Sequence, residues 1–273
     1  MNAIDALFQR CRREGRKVFI PFVTAGDPDL DATAQVVEEL ARRGAGLIEL
    51  GFPYSDPIAD GSVIQASYTR ALHRGLRQRD IFALARQLVD KVLAPRGVPL
   101  VGMVSFSLVH HRGPERFVAE AQTAGFSGAI VPDLPVEESD DLARLAADRD
   151  FKLIQLVTPT TPPDREARIA RASTGFVYCV SVTGITGERD RLPAELLDQL
   201  RRLRKQTDLP LCVGFGVSRP EHVTMLRDDV DGVIVGSALV RRLEQAGTRP
   251  LPEIVKEIGD LVESLAGALN PPR

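Results

Sequence analysis

Short apolar segments alternate with longer amphipathic segments along the chain, and this alternation constrains the fold more than any other feature. The short segments are rich in Val, Ile and Leu, as are parallel strands that are buried on both faces, and most are too short to form helices. They occupy residues 18–23, 46–50, 99–104, 128–131, 151–157, 175–180, 210–213 and 232–235. Between them, apolar residues recur with the spacing of amphipathic helices, as in residues 31–43, 80–93, 114–125, 137–149 and 193–205.

Eight alternations of strand and helix predict an α/β fold with a single closed (β/α)8 TIM barrel. Such a barrel uses about 250 residues. The 273 residues of the chain, 44% of them hydrophobic, supply that number and a short helix before the first strand. We interpret residues 1–268 as one domain and expect residues 269–273 to form a frayed tail. An open, doubly wound sheet is the alternative fold for the same alternation.

The charge pattern favours small molecules or proteins as partners. The formal net charge is −2, and the arginines are interspersed with acidic residues, so no block of one sign suggests a nucleic acid or a membrane surface. No apolar stretch approaches the roughly 18 residues of a membrane span, and the charged N-terminus does not resemble a secretory signal. Cys11, Cys179 and Cys212 form no CxxC pair. These observations predict a cytoplasmic protein.

A carboxylate lies in the second predicted strand. The alternation of side chains places Leu47, Glu49 and Gly51 on one face of that strand. A buried carboxylate either pairs with a cation or has a raised pKa, and the strand contains no cation. A carboxyl with a raised pKa at the C-terminal end of a barrel strand suits general acid/base catalysis. The alternative is a structural ion pair with an arginine from another strand.

A loop rich in Pro, Gly and Asp follows this strand at residues 52–61. Loops at the C-terminal end of barrel strands carry function, so Asp60 is a candidate to pair with a cationic or N–H-bearing part of a substrate while Glu49 moves protons. An aspartate that precedes a glycine also serves as a turn or N-cap residue, and this is the alternative for Asp60.

Three glycine-containing turns follow the last three predicted strands, at residues 184–187, 213–218 and 235–238. Glycine lets backbone N–H groups approach an anion closely, and Ser237 is expected to begin a short helix whose N-terminus favours negative charge. Three such turns in one quadrant predict a phosphate site.

The positions of the lysines and histidines argue against Schiff-base and metal chemistry. None of the five lysines lies at the C-terminal end of a predicted strand, and Lys152 begins its strand. The four histidines are scattered apart from one adjacent pair, which favours solvated side chains over metal ligands. We expect no metal and no cofactor, so cleavage of a carbon–carbon bond requires a substrate that supplies its own electron sink.

Several segments resemble the tryptophan synthase alpha subunit family. They are LIELGFPYSDPIADGSVIQ at residues 47–65, PDLPVEES at 132–139, GITG from Gly184 and VGFGVS from Val213, and the resemblance runs from the first helix to Ala238. It implies a lyase of tryptophan biosynthesis that cleaves indole-3-glycerol phosphate into indole and glyceraldehyde 3-phosphate. It also implies an α2β2 heterotetramer, in which indole passes to a beta subunit that carries pyridoxal phosphate.

The resemblance assigns roles to individual residues. Glu49 protonates C3 of the indole ring, Asp60 interacts with the indole N–H, Tyr178 lies near Glu49 in the substrate pocket, and Thr186 belongs to a mobile loop that reaches Asp60. Other matched positions line the indole pocket (Phe22, Met103, Ile130, Leu156 and Phe215), bind the phosphate (Gly187, Gly216, Gly236 and Ser237) or face the beta subunit (Asp56, Pro57, Asp133 and Pro135).

Two segments depart from the family pattern. Ser105-Phe106-Ser107 stands where the family usually has Tyr-x-Asn, so Ser105 is expected to give the substrate pocket a smaller, more polar wall, and Val182 stands where an arginine is common. These departures keep two alternatives open. One is a stand-alone indole-3-glycerol phosphate lyase or a paralogue that cleaves a modified indole. The other is a weakly catalytic regulatory subunit of a beta-type partner.

Overall fold

Eight parallel strands pair in chain order and close into a barrel in the computed structural model, which describes residues 1–58, 60–181, 194–214 and 216–272. The strands are β1 (Val18–Thr24), β2 (Ile48–Gly51), β3 (Leu100–Met103), β4 (Phe126–Ile130), β5 (Lys152–Val157), β6 (Val177–Val180), β7 (Leu211–Gly214) and β8 (Gly232–Val235). Strands β1 and β8 pair from Val18 opposite Gly232 to Pro21 opposite Val235, and this pairing closes the barrel. The predicted (β/α)8 barrel is therefore confirmed, and the open sheet is excluded.

Helix α1 (Ala3–Glu14) precedes the first strand, as predicted. The other α-helices of the described residues are α2 (Leu30–Arg42), α3 (Ser62–His73), α4 (Gln78–Leu88), α5 (Phe106–Arg112), α6 (Pro114–Thr123), α7 (Asp140–Asp148), α8 (Pro163–Ala172), α9 (Ala194–Arg204), α10 (Pro220–Leu226), α11 (Ser237–Leu243) and α12 (Leu251–Leu269). A π-helical turn (Val89–Leu93) and two 3-10 turns (Ala94–Arg96 and Val136–Glu138) complete the helical elements. Within the described ranges, no helix has both the length and the apolar character needed to cross a membrane.

The alternation of side chains along the strands creates two separate apolar layers. Leu47 packs with the residues that fill the barrel interior, whereas its neighbour Ile48 packs with the residues between the barrel and the outer helices. Helix α1 contributes Ile4, Leu7 and Phe8 to the interior layer. It therefore closes the N-terminal end of the barrel and leaves the C-terminal end for a ligand.

Lys152 lies at this closed end. Its Nζ pairs with an Asp5 carboxylate oxygen of α1 at 2.7 Å, so Lys152 ties β5 to the closing helix. The location matches the sequence prediction that Lys152 begins its strand, far from the end that carries chemistry in barrels of this kind.

The chain end differs from the sequence expectation. Leu269 is the last residue of α12 and is buried, and the Asn270 side chain accepts a hydrogen bond from Lys17 N at 2.7 Å and donates one to Lys17 O at 3.0 Å. Residues 269 and 270 were expected to fray, but apolar burial and two backbone hydrogen bonds hold them.

Candidate active site

A cavity of about 610 Å³ opens at the C-terminal end of the barrel. Strands β1, β2, β3 and β6 contribute side chains to it, as do the loop after β2 and the turns after β7 and β8. The site residues predicted from the sequence that line it are Phe22, Glu49, Asp60, Met103, Tyr178, Gly216, Gly236 and Ser237. A smaller cavity of about 290 Å³ adjoins it, because the two share Asp60, Met103 and Tyr178 as walls.

Glu49 is fully buried and points into the main cavity. Neither of its carboxylate oxygens has a hydrogen-bond partner among the described residues, so the alternative of a structural ion pair finds no partner there. Burial, reinforced by the negative charge of Asp60, raises the pKa of Glu49 to about 8. The carboxyl is therefore protonated near neutral pH and can both donate and recover a proton.

The position of Glu49 follows from the register of β2. Its Cα lies opposite Phe22 of β1 and Val101 of β3, and both belong to the apolar lining of the barrel. Side chains of this kind cannot solvate a charge, and this local environment causes the desolvation that raises the pKa of Glu49.

Asp60 is half-buried and lines both cavities. Burial, with a further contribution from the negative charge of Asp133, raises the pKa of Asp60 to about 6. Gln65 in the first turn of α3 fixes the loop: its Nε2 donates to Asp60 O at 2.8 Å and to Pro57 O at 3.1 Å. The sequence reasoning missed Gln65, whose only signal is an amide side chain just after the loop.

Tyr178 of β6 is buried and lines the main cavity. A Cβ atom at Gly214 would lie 2.4 Å from the Tyr178 hydroxyl, so the glycine leaves the space that the phenol occupies. Burial, followed by the charges of Glu49 and Asp60, raises the pKa of Tyr178 well above its ordinary value. The phenol therefore stays neutral beside the two carboxyl groups.

The glycine turns after β7 and β8 line the same cavity. Gly216 has a left-handed backbone conformation with φ of 78°, which only glycine adopts easily, and Ser237 begins α11. His222 supports the first turn, because its Nδ1 accepts a hydrogen bond from Ser218 N at 3.4 Å. His222 is buried, which corrects the expectation of solvated histidines, while His73, His110 and His111 are exposed.

The remaining predicted pocket residues are distributed differently. Leu156 lines only the smaller cavity, and Ile130 lies in the apolar interior of the barrel and lines neither cavity. Phe215, Thr186, Gly187 and Val182 lie outside the described residues. No group of three His, Cys, Asp or Glu side chains in the described ranges is arranged to hold a metal ion.

Ser105 also lines neither cavity, which corrects the expected polar wall. It caps the N-terminus of α5, and its hydroxyl donates to Asp133 Oδ2 at 2.6 Å. Phe106 N donates to Asp133 Oδ1 at 2.7 Å, so the Asp133 carboxylate holds the start of α5. The Ser105 hydroxyl therefore donates to the Asp133 carboxylate and does not face the cavity.

The four positions expected at a protein interface lie on the surface to different extents. Asp56, Asp133 and Pro135 are exposed, and Pro57 is partly exposed. Pro135 also lines the smaller cavity. Asp56 and Pro57 precede Asp60 in the same loop, so this loop links the surface to the main cavity.

The sequence reasoning also missed three cationic side chains. Arg219, Arg241 and Arg242 line the main cavity beside the glycine turns. Their signal in the sequence is their distance from those turns, since Arg219 follows Gly216 by three residues and Arg241 follows Ser237 by four.

Comparison with known proteins places this architecture in one family. The family profile described as "Tryptophan synthase alpha chain" matches residues 8–266. The tryptophan synthase alpha chain of Rhodopirellula baltica is 47% identical over 277 residues, covering 99% of each chain. That of Synechococcus elongatus is 45% identical over 264 residues, covering 96% of this chain and 98% of the relative.

Solved structures agree with these relatives. The crystal structure of the tryptophan synthase alpha chain from Legionella pneumophila superposes with a TM-score of 0.88 at 31% identity, covering 99% of this chain and 98% of that one. A chain of Mycobacterium tuberculosis tryptophan synthase gives a TM-score of 0.87 at 31% identity, covering 98% of each chain. Profile, sequence and structure together show that this chain belongs to the tryptophan synthase alpha chain family.

Proposed function

We propose that this chain cleaves indole-3-glycerol phosphate into indole and glyceraldehyde 3-phosphate by acid/base chemistry, without a metal or a cofactor. The observation that carries the proposal is the Glu49 carboxyl, which is buried, has no hydrogen-bond partner among the described residues and faces the cavity that Asp60 and the glycine turns also line. A proton donor that is protonated near neutral pH is what the first step of this reaction requires.

The reaction begins with proton transfer from Glu49 to C3 of the indole ring. The ring nitrogen then carries the positive charge of an indolenine, which the Asp60 carboxylate stabilises. The bond between C3 and the adjacent hydroxyl-bearing carbon breaks, and its electron pair returns to the ring to give indole. The hydroxyl group on that carbon loses its proton to the Glu49 carboxylate and becomes the aldehyde, so Glu49 ends the cycle protonated.

The phosphate of the substrate occupies the other part of the cavity, beside Gly216, Gly236 and Ser237. These residues line the cavity that contains Glu49, so one ligand can contact both sets. Backbone N–H groups at glycine turns are suited to binding phosphate oxygens. Gly187 and Thr186, which lie outside the described residues, are assigned to this site by family resemblance alone.

We also propose that the chain works in the cytoplasm with a beta subunit in an α2β2 heterotetramer. Asp56, Pro57, Asp133 and Pro135 contact the partner in this assembly. Ile58, in the same loop as Asp56, is 91% exposed. A partner that buried this apolar side chain would stabilise the complex. Because Gln65 holds the backbone of both Pro57 and Asp60, docking at the loop can order the Asp60 carboxylate directly.

Steady-state release of indole from indole-3-glycerol phosphate, titrated with the beta subunit from the same organism, tests this proposal. We expect turnover to rise at least roughly tenfold, which corresponds to an activation free energy lower by about 1.4 kcal/mol in the complex. A flat response with high basal turnover would favour a stand-alone lyase. A flat response with negligible turnover would favour a modified substrate or a regulatory subunit.

The control for the titration is Asp56→Asn, which removes a charge at the expected contact and leaves the main cavity unchanged. It should raise the concentration of beta subunit needed for half-maximal stimulation while leaving the basal rate as it is. Identical titration curves for the two proteins would contradict the placement of Asp56 in the interface.

A further inference from the structure

The main cavity contains charges of both signs among its described residues. Glu49 and Asp60 are its carboxyl groups, and Arg219, Arg241 and Arg242 are its cations. The carboxyl groups belong to β2 and the loop that follows it, whereas the arginines belong to the segments that follow β7 and β8. The cations therefore accompany the glycine turns.

Arg241 and Arg242 lie in the last turn of α11, and the helical geometry directs their side chains toward the start of that helix. Helical side chains lean toward the N-terminus, and residues four apart lie on the same face, so Arg241 extends over the turn that contains Ser237. Arg242 shows this direction, because its Nη1 donates to the carbonyl oxygen of Ala238, four residues earlier. Arg219 approaches from the turn that contains Gly216 and Ser218.

The guanidinium groups of Arg219 and Arg241 are not committed to carboxylates within the described part of the chain. Several other arginines of the described residues pair with carboxylates. Arg70, for example, donates to both carboxylate oxygens of the buried Asp27 at 2.8 Å. Two uncommitted guanidinium groups at the edge of a cavity are available to a ligand, and the planar donor geometry of arginine matches phosphate.

The glycine turns alone do not supply a full positive charge. Backbone N–H groups contribute only partial charges, whereas a phosphate monoester carries close to two negative charges at neutral pH. The same cavity holds Asp60, whose pKa of about 6 leaves it ionised at neutral pH, and its charge opposes the entry of an anion. A cation near the turns would offset this repulsion.

We propose that Arg219 and Arg241, beside Arg242, form a cationic rim that binds the phosphate dianion of the substrate and selects phosphorylated over unphosphorylated indole-glycerol. This inference rests on the proposed function, since it names further residues that determine the specificity of the same site. The rim supplies charge, and the glycine turns supply the close backbone contacts.

The test is the affinity of the double variant Arg219→Gln/Arg241→Gln for inorganic phosphate and for glycerol 3-phosphate, measured by calorimetry. We expect both dissociation constants to rise at least roughly tenfold, as for the loss of a charge-assisted hydrogen bond. KM for indole-3-glycerol phosphate should rise in parallel with little change in kcat, because the arginines contact a part of the substrate that does not react.

Two further variants separate charge from structure. Arg219→Lys/Arg241→Lys keeps both charges and should keep most of the affinity, while Arg10→Gln/Arg13→Gln removes two exposed charges from α1, at the closed end of the barrel, and should bind like wild type. Binding by the glutamine double variant that equals binding by the α1 control would overturn the proposal. So would a wild-type chain that binds neither probe.

The outcome also distinguishes the rim from the proposed function. A wild-type chain that cleaves indole-3-glycerol phosphate while the rim variants bind phosphate normally would overturn the rim alone. A chain that binds both probes through the arginines but cleaves no substrate would overturn the proposed function and leave the rim in place.

Discussion

Replacing Glu49 with glutamine should make the protein inactive and, at neutral and alkaline pH, more stable. The side chain is fully buried without a hydrogen-bond partner among the described residues, and burial raises its pKa from an ordinary value of 4.5 to about 8. The amide has nearly the same shape as the protonated carboxyl but does not titrate. The two proteins should therefore differ only where the carboxyl is ionised in the unfolded chain.

The sign and size of the stability difference follow from proton linkage. Below about pH 4.5 the Glu49 carboxyl is protonated in both the folded and the unfolded state. In that range its titration does not lower the folding free energy of the wild type. As the pH rises further, the unfolded state releases its proton first, and the wild type loses about 1.4 kcal/mol of folding free energy per pH unit. The Glu49→Gln variant should thus be more stable by about 3 kcal/mol near pH 7, and the difference should level off above about pH 8.

Urea unfolding followed by circular dichroism at about pH 5, 7 and 8.5 measures this difference. The matched control is Glu38→Gln, an exposed position on α2, whose stability relative to wild type should not change across these pH values. In the same preparations, loss of the acid/base group should lower turnover by roughly 100-fold to 10,000-fold. A variant that is no more stable than wild type at pH 8.5, or that keeps a tenth of the turnover, would refute the reasoning.

Three other outcomes follow from the same site. The pH profile of kcat/KM should rise through about pH 6 as Asp60 ionises and fall through about pH 8 as Glu49 loses its proton, and a flat profile between these values would contradict both roles. Asp60→Asn should lower turnover by roughly 100-fold or more while leaving the binding of glycerol 3-phosphate intact, and loss of that binding would indicate a structural role. Dialysis against EDTA should leave turnover unchanged, and inactivation that added metal reverses would contradict cofactor-free chemistry.

Much of the barrel is predictable because the strands carry a strict pattern. At the start of β2, a period of two places Leu47, just before the strand, and Glu49 inside the barrel and Ile48 outside, as the structure has them. The loop after β2 follows from its composition, since Pro, Gly and Asp residues end a strand and begin a connection.

Side-chain partners across loops were not predictable, because they depend on distances that the sequence does not encode locally. Ser105 and Asp133 are 28 residues apart, and the pairing of β3 with β4 brings the loops after these two strands together. That contact directs the Ser105 hydroxyl away from the cavity. Arg241 was missed for a related reason: it is exposed, as its place on α11 indicates, and its position beside the cavity depends on how α11 lies against the barrel.

Helix ends depended on local hydrogen bonds. The predicted helix at 137–149 begins later, at Asp140, because Val136–Glu138 form a 3-10 turn that precedes it. Such turns are common at helix starts and leave no distinct sequence signal.

The central claim is that this chain cleaves indole-3-glycerol phosphate through Glu49, and product analysis tests it most directly. Purified wild-type chain, incubated with indole-3-glycerol phosphate in the presence of its beta subunit without serine, should release indole and glyceraldehyde 3-phosphate in equal amounts. The Glu49→Gln variant under the same conditions should release neither product above the trace expected from the loss of an acid/base group. Absence of indole from the wild-type reaction, or equal product formation by the variant, would contradict the account.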